Sequence, residues 1–161
     1  MGLKIVGVKS TQFRLNNVVQ KTNRAVYSLL EQAAKEAKRR AELQAHLDTG
    51  ALEKAFRIRR LSRAGAGGRT VFEVFIDPNA RRNQRTRNGI RRQRVITYAK
   101  RLESGEFKGL ARKSREKDQR VRNTDPNLSV GSGFMARSMN YVEAVYRRRI
   151  ERAVSQITNR G

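Results

Sequence analysis

The chain has 161 residues, 37% of them hydrophobic and 32% charged, with a net charge of +23 and no cysteine. That length supports one domain with a modest core. The lack of cysteine excludes a disulfide framework and a thiolate metal site, and no run approaches the roughly 18 apolar residues of a membrane-spanning helix.

Met1 to Ser10 carries two lysines and a short apolar stretch, without the apolar region and small-residue cleavage site of a signal peptide. Residues 12–46 follow as one long predicted helix. Leu15, Val18, Val19, Thr22, Ala25, Val26, Leu29, Leu30, Ala33, Ala34 and Ala37 recur in steps of three and four. Lys21, Arg24, Lys35, Lys38 and Arg39 occupy the opposite face. From Ala33 onward the stripe is mostly alanine, which suits close approach of a strand layer or a neighbouring subunit. Asp48-Thr49-Gly50 must stop this helix, because glycine takes φ > 0 freely and the Asp and Thr side chains bond nearby backbone N–H groups.

Leu52 to Leu61 reads as a strand, with Phe56 and Ile58 alternating with basic residues. Gly65, Gly67 and Gly68 mark a hairpin-type connection. Thr70 to Asp77 is the clearest strand, being rich in β-branched and aromatic residues, and Asp77-Pro78-Asn79 ends it. Residues 78–122 then hold 16 Lys/Arg against 4 Asp/Glu, more than half the net charge. Within them lie Arg81, Arg82, Arg85, Arg87, Arg91, Arg92 and Arg94, with Asn88-Gly89 as a turn signal. Self-repulsion in such a block predicts a loop or arm over 78–94 that orders, if at all, against a partner. Val95 to Tyr98 is either a third strand or the start of a short helix through Leu102. Residues 105–131 are polar, basic and glycine-punctuated, and read as a second long loop. A last amphipathic helix runs from about Phe134 to Ile157, with Ser132 in position to cap it.

Catalysis finds little support in these residues. The single histidine, His46, has no evident partner, and a general base needs an orienting group. The acidic residues do not pair as a two-metal site would require. Gly131-Ser132-Gly133 lacks the spacing of a nucleophile elbow, and Gly65-Ala66-Gly67-Gly68 lacks the Lys-Ser/Thr of a phosphate loop. The expectation is a non-enzyme without cofactor or metal. The arginines of 81–94 are candidate contacts either for phosphates or for an acidic protein partner. No aromatic residue lies between Phe75 and Tyr98, so contact with nucleic acid would be with the backbone and without sequence preference. Glu103, in a basic neighbourhood, is either a surface carboxylate or the partner of a neighbouring subunit's arginine. Phe134, Met135 and Met139 are core residues or interface residues.

Three ordered patches stand out. They are Asp48, Thr49, Gly50 and Leu52; then Tyr98, Ala99, Leu102, Glu103 and Gly105; then Phe134, Met135 and Ser138. Flanked by a long helix on each side, their order and spacing resemble the siphophage tail-completion, or head–tail joining, proteins. That resemblance implies a single α+β domain over residues 1–161. A long N-terminal helix and a C-terminal helix would pack on a small antiparallel sheet, with long basic loops at 78–94 and 105–131. It further implies a structural role in the virion neck, in a protein made in the host cytoplasm. Copies would form a ring, six-fold by the same resemblance, between the head connector and the tail tube. The DNA in transit is a possible further contact of that ring, and no membrane is involved. The alternative reading is a sequence-nonspecific nucleic-acid-binding protein.

Overall fold

The structure, a computed structural model, describes residues 8–46, 50–62, 70–86, 89–106 and 110–159. It is an α+β fold. Helix α1 (Val8–Gln44) is unbroken by glycine or proline and spans about 55 Å at 1.5 Å per residue. A 3-10 turn (Glu53–Ala55) leads into strand β1 (Phe56–Ser62), which pairs antiparallel with β2 (Thr70–Ile76), Phe56 opposite Ile76 and Ser62 opposite Thr70. The expected strand from Leu52 therefore starts four residues late. Leu52 and Ala55 are buried in the turn that precedes it. The predicted connection at 63–69 lies outside the described residues.

Asp77 closes the next turn through its own side chain. Its Oδ1 accepts from Asn79 N at 2.8 Å and its carbonyl accepts from Ala80 N at 3.1 Å. Pro78, which has no N–H, fits this Asx turn. The chain then forms a second ladder, β3 (Arg81–Thr86) with β4 (Gly89–Arg94). Residues 78–94 are thus not a loop, and the helices pack against two two-stranded sheets rather than one sheet. The ladder pairs its backbone groups whatever the side chains, and Arg82 and Gln93 add a cross-strand side-chain bond. Gly89, at φ +112°, stands at the turn end of β4.

Helix α2 (Val95–Glu103) resolves the ambiguity over Val95 to Leu102 in favour of helix. Val95, Tyr98, Ala99 and Leu102 form its buried face, at the i, i+3, i+4, i+7 spacing of one helical stripe. The predicted loop 105–131 contains helix α3 (Arg112–Thr124), which buries Ser114 and Val121. Val121 packs with Leu128 and Val130 against Leu43 of α1. Helix α4 (Phe134–Thr158) returns antiparallel to α1. Gln44 meets Ser138, Ala37 meets Val142, and Leu30 and Ile150 share a groove.

The alanines of α1 meet the strand layer, as one of the two expectations had it, together with helix α4 of the same chain. Ala33 and Ala37 lie against Val142 and Val74, and Ala41 and Ala45 reach the main core. The C-terminal carbonyls of α1 are satisfied from afar. Lys117 Nζ donates to Glu42 O at 2.6 Å and Ala45 O at 2.8 Å, and also pairs with Glu53. A cation there complements the negative end of the helix dipole. Arg40, almost wholly buried, bonds Glu36 at 3.0 Å and Asp125 at 3.3 Å, with its guanidinium 3.3 Å from the Tyr141 ring centroid.

Candidate functional site

Two arrangements hold the residues singled out by sequence. The first is a junction where the three patches meet. Leu52, Tyr98, Ala99, Leu102 and Phe134 share one core cluster with Phe56, Val95, Ala41 and Ala45. Phe134 has no exposed surface, and its ring meets Phe56 edge-on at 6.0 Å and 89°. Met135 packs on the edge of the cluster. Gly50 sits at φ +71° just ahead of the 3-10 turn, and its carbonyl accepts from Lys54 N at 3.2 Å. Asp48 and Thr49 lie outside the described residues.

Gly105 has a specific reason to be glycine. At φ +77° it ends α2 in a Schellman arrangement. Its N–H donates to Leu102 O at 3.2 Å, and Glu106 N–H donates to Arg101 O at 3.1 Å. A Cβ there would only touch Ser132 at 3.8 Å, so the left-handed backbone, not crowding, selects glycine.

Glu103 crosses from the end of α2 to the start of α4. Its Oε2 accepts from Met135 N at 3.2 Å and its Oε1 from Ala136 N at 3.1 Å. Its own carbonyl accepts from Gly133 N at 3.3 Å. The expected cap, Ser132, makes no side-chain bond to the helix. The cap position is Gly133 at φ +66°, and the carboxylate from another element replaces the local hydroxyl. Two amide donors and the positive helix end account for Glu103 within one subunit, as neither an idle surface group nor one that needs a neighbour's arginine. Arg137 completes the joint: Nε donates to Gln44 Oε1 at 2.8 Å, Nη2 to Ser129 O at 3.1 Å and Nη1 to Ser132 O. Burial lowers its affinity for its proton, and Glu103 nearby raises it.

His46 lies buried at the end of α1. Desolvation, then the cations of Lys117 and Arg137, hold its imidazole below the ordinary value of about 6.5. The unfolded chain therefore binds the proton more readily, so the stability contribution is complete above about pH 6.5 and is lost as pH falls below it. Thermal unfolding followed across that range should show a falling melting temperature, and His46→Gln should flatten that part of the profile.

The second arrangement is the β3–β4 ribbon, where the seven arginines separate into unlike roles. Arg82 is buried. Its guanidinium lies 3.5 Å from the Tyr98 ring centroid, and Nε and Nη2 donate to Gln93 Oε1 at 3.0 and 2.8 Å. It is a lock between the ribbon and α2, not a free contact for a partner. Arg81 and Arg94 are directly opposite each other, and Arg92 is opposite Asn83. All four are exposed, and the three arginines make no ion pair among the described residues. In register, Arg85 faces Ile90 and Arg91 faces Gln84. Arg87 lies outside the described residues.

Sequence reasoning missed Lys117, Arg137 and Gln44 as structural hubs. Their signal is weak, since each is one polar residue among many and each has a side-chain partner 64 or more positions away. Among the described residues no three His, Cys, Asp or Glu side chains come together as a metal site, and no helix is long and apolar enough to cross a membrane. No family model, curated protein or solved structure matched the chain.

Proposed function

We propose that this chain is a structural, non-enzymatic subunit of a phage neck, forming a ring that completes the tail and joins it to the head connector. The observation that supports this reading is the convergence of the three patches. Residues 36 to 82 positions apart, Leu52, Tyr98 and Phe134, share one core, and the glutamate and glycine between them shape a single joint. Spacing that serves one joint is what a fold-defining pattern requires, and it is the pattern on which the resemblance rests.

Exposed apolar surface suits assembly with further copies and with neighbours on the tail axis. Leu15 and Val19 of α1 are more than half exposed. The antiparallel register with α4, extended to Thr158, reaches α1 near Thr22, so the stretch with Leu15 and Val19 runs past the end of α4. A groove of ≈ 570 Å³ between α1 and α4 is lined by Leu30, Ala33, Met139, Val142, Tyr146 and Ile150. In a ring these faces gain partners, and the hydrophobic term of association scales with the apolar area they bury.

Electron microscopy of lysates from a phage that carries this gene, with the gene deleted, tests the proposal. DNA-filled heads beside separate finished tails are the expected result. Tails of abnormal length would move the role to tail termination. Intact infectious particles would overturn the neck reading.

A further inference from the structure

We infer that the exposed face of the β3–β4 ribbon is a binding surface for duplex DNA, set against the major groove with its arginines on the flanking phosphates. The inference stands apart from the neck reading: it needs no ring, and a ring does not require it.

The first support is the way the ribbon is mounted. Arg82 and Gln93 are opposite each other and bonded to each other, and Arg82 is stacked on Tyr98. That pins one face of the ladder to α2. Because side chains alternate between faces, Arg81, Asn83, Arg92 and Arg94 are all presented on the other. Ala80 and Val95 tie the base to the core through a backbone bond of 3.0 Å.

The second support is uncompensated charge. Like charges directly opposite across an antiparallel pair destabilise it, yet Arg81 faces Arg94. In the β1–β2 ladder no arginine faces another: Arg57 and Arg60 face Phe75 and Phe72, and Arg59 faces Glu73 and bonds it at 2.5 Å. The β3–β4 ribbon contains no acidic residue at all. A ladder that tolerates this repulsion is relieved when a polyanion is bound.

The third support is shape and composition. A two-stranded ribbon fits the major groove of B-form DNA, about 12 Å wide. Same-face residues recur about every 6.7 Å along a strand, two steps of the roughly 3.4 Å phosphate rise. A protein partner would call for an aromatic anchor at the centre of the contact. This face has no aromatic residue, and its apolar residue, Ile90, stands at the turn end of the ribbon. All seven of the positive charges in 81–94 are arginines, whose planar forks match phosphate oxygens.

The test is fluorescence anisotropy of the full chain with a labelled random-sequence DNA duplex across a salt series. The triple substitution R81Q/R92Q/R94Q is compared with R115Q/R120Q/R148Q, which removes the same charge from exposed arginines elsewhere. The ribbon triple should reduce the slope of log K against log salt by about 2.7, some 0.9 for each of three phosphates. Affinity near 0.15 M salt should then fall about a hundredfold, with the control triple well short of both. The melting temperature of the ribbon triple should stay equal to or above that of the parent chain, since the Arg81–Arg94 repulsion is gone. Equal losses from the two triples would reduce the binding to net charge and overturn the inference. So would tighter, ribbon-dependent binding to polyglutamate, which would make the surface a protein site, or to an RNA duplex, whose major groove is too narrow for the ribbon.

Discussion

Phe134→Ala should cost about 3–5 kcal/mol of unfolding free energy, the range for removing a fully buried aromatic ring. For a chain of this size that is roughly a 10 °C fall in melting temperature, out of a total stability of only about 5–15 kcal/mol. The size of the effect follows from position. Phe134 is the first residue of α4, has no exposed surface, and meets Phe56 from the opposite side of the core in a T-shaped contact. Its loss opens a cavity at the one place where the turn after Gly50, helix α2 and helix α4 all touch. Met135→Ala, one position along and only partly buried, should cost distinctly less. A double-mutant cycle of Phe56 and Phe134 should give a coupling of about 0.5–1.5 kcal/mol. Urea unfolding by circular dichroism reads both quantities. If Phe134→Ala cost no more than Met135→Ala, the three patches would not share a common core.

Much of this core was legible because its signals were apolar and periodic. The long helices and the strand over Thr70–Ile76 follow from spacing, whereas Val95 to Leu102 left strand and helix both open until its buried stripe settled on helix α2. Gly50 was legible as a stop and adopts the left-handed backbone, as does Gly105, which stood out only as part of the second patch. What escaped was structure held together by polar groups. Helix α3 buries only Ser114 and Val121, seven residues apart, so no apolar stripe announces it. Its visible cues were the i,i+4 pairs Arg112–Glu116 and Asp118–Arg122, each worth only a few tenths of a kcal/mol. The β3–β4 ladder escaped because charge density outweighed pairing. Its stability depends on Arg82 lying over Tyr98, a contact between residues 16 apart that no composition argument contains.

Glu103 is where polar structure and the sequence pattern coincide, and its replacement should have the next largest effect. Glu103→Ala removes two charge-assisted bonds to Met135 N and Ala136 N and leaves the first turn of α4 without a cap. Hydrogen bonds to charged groups contribute about 1.5–3 kcal/mol, and cap loss alone costs about 0.5–2. Because the carboxylate is partly exposed, solvent screening lowers the total, and about 2 kcal/mol is expected. Glu103→Gln keeps an oxygen acceptor but loses the charge facing the positive helix end, so it should cost about 1 kcal/mol. The amides of Met135 and Ala136 should exchange with solvent faster in both variants. The alternative role, a carboxylate reserved for an arginine of a neighbouring subunit, makes the opposite prediction. Dilute, unassembled protein would then keep its full stability in Glu103→Ala, and only assembly would fail. Unfolding measured at concentrations below assembly therefore separates the two roles. Here the joint within one subunit is expected to weaken first, because the acceptors that Glu103 provides are already taken by its own chain.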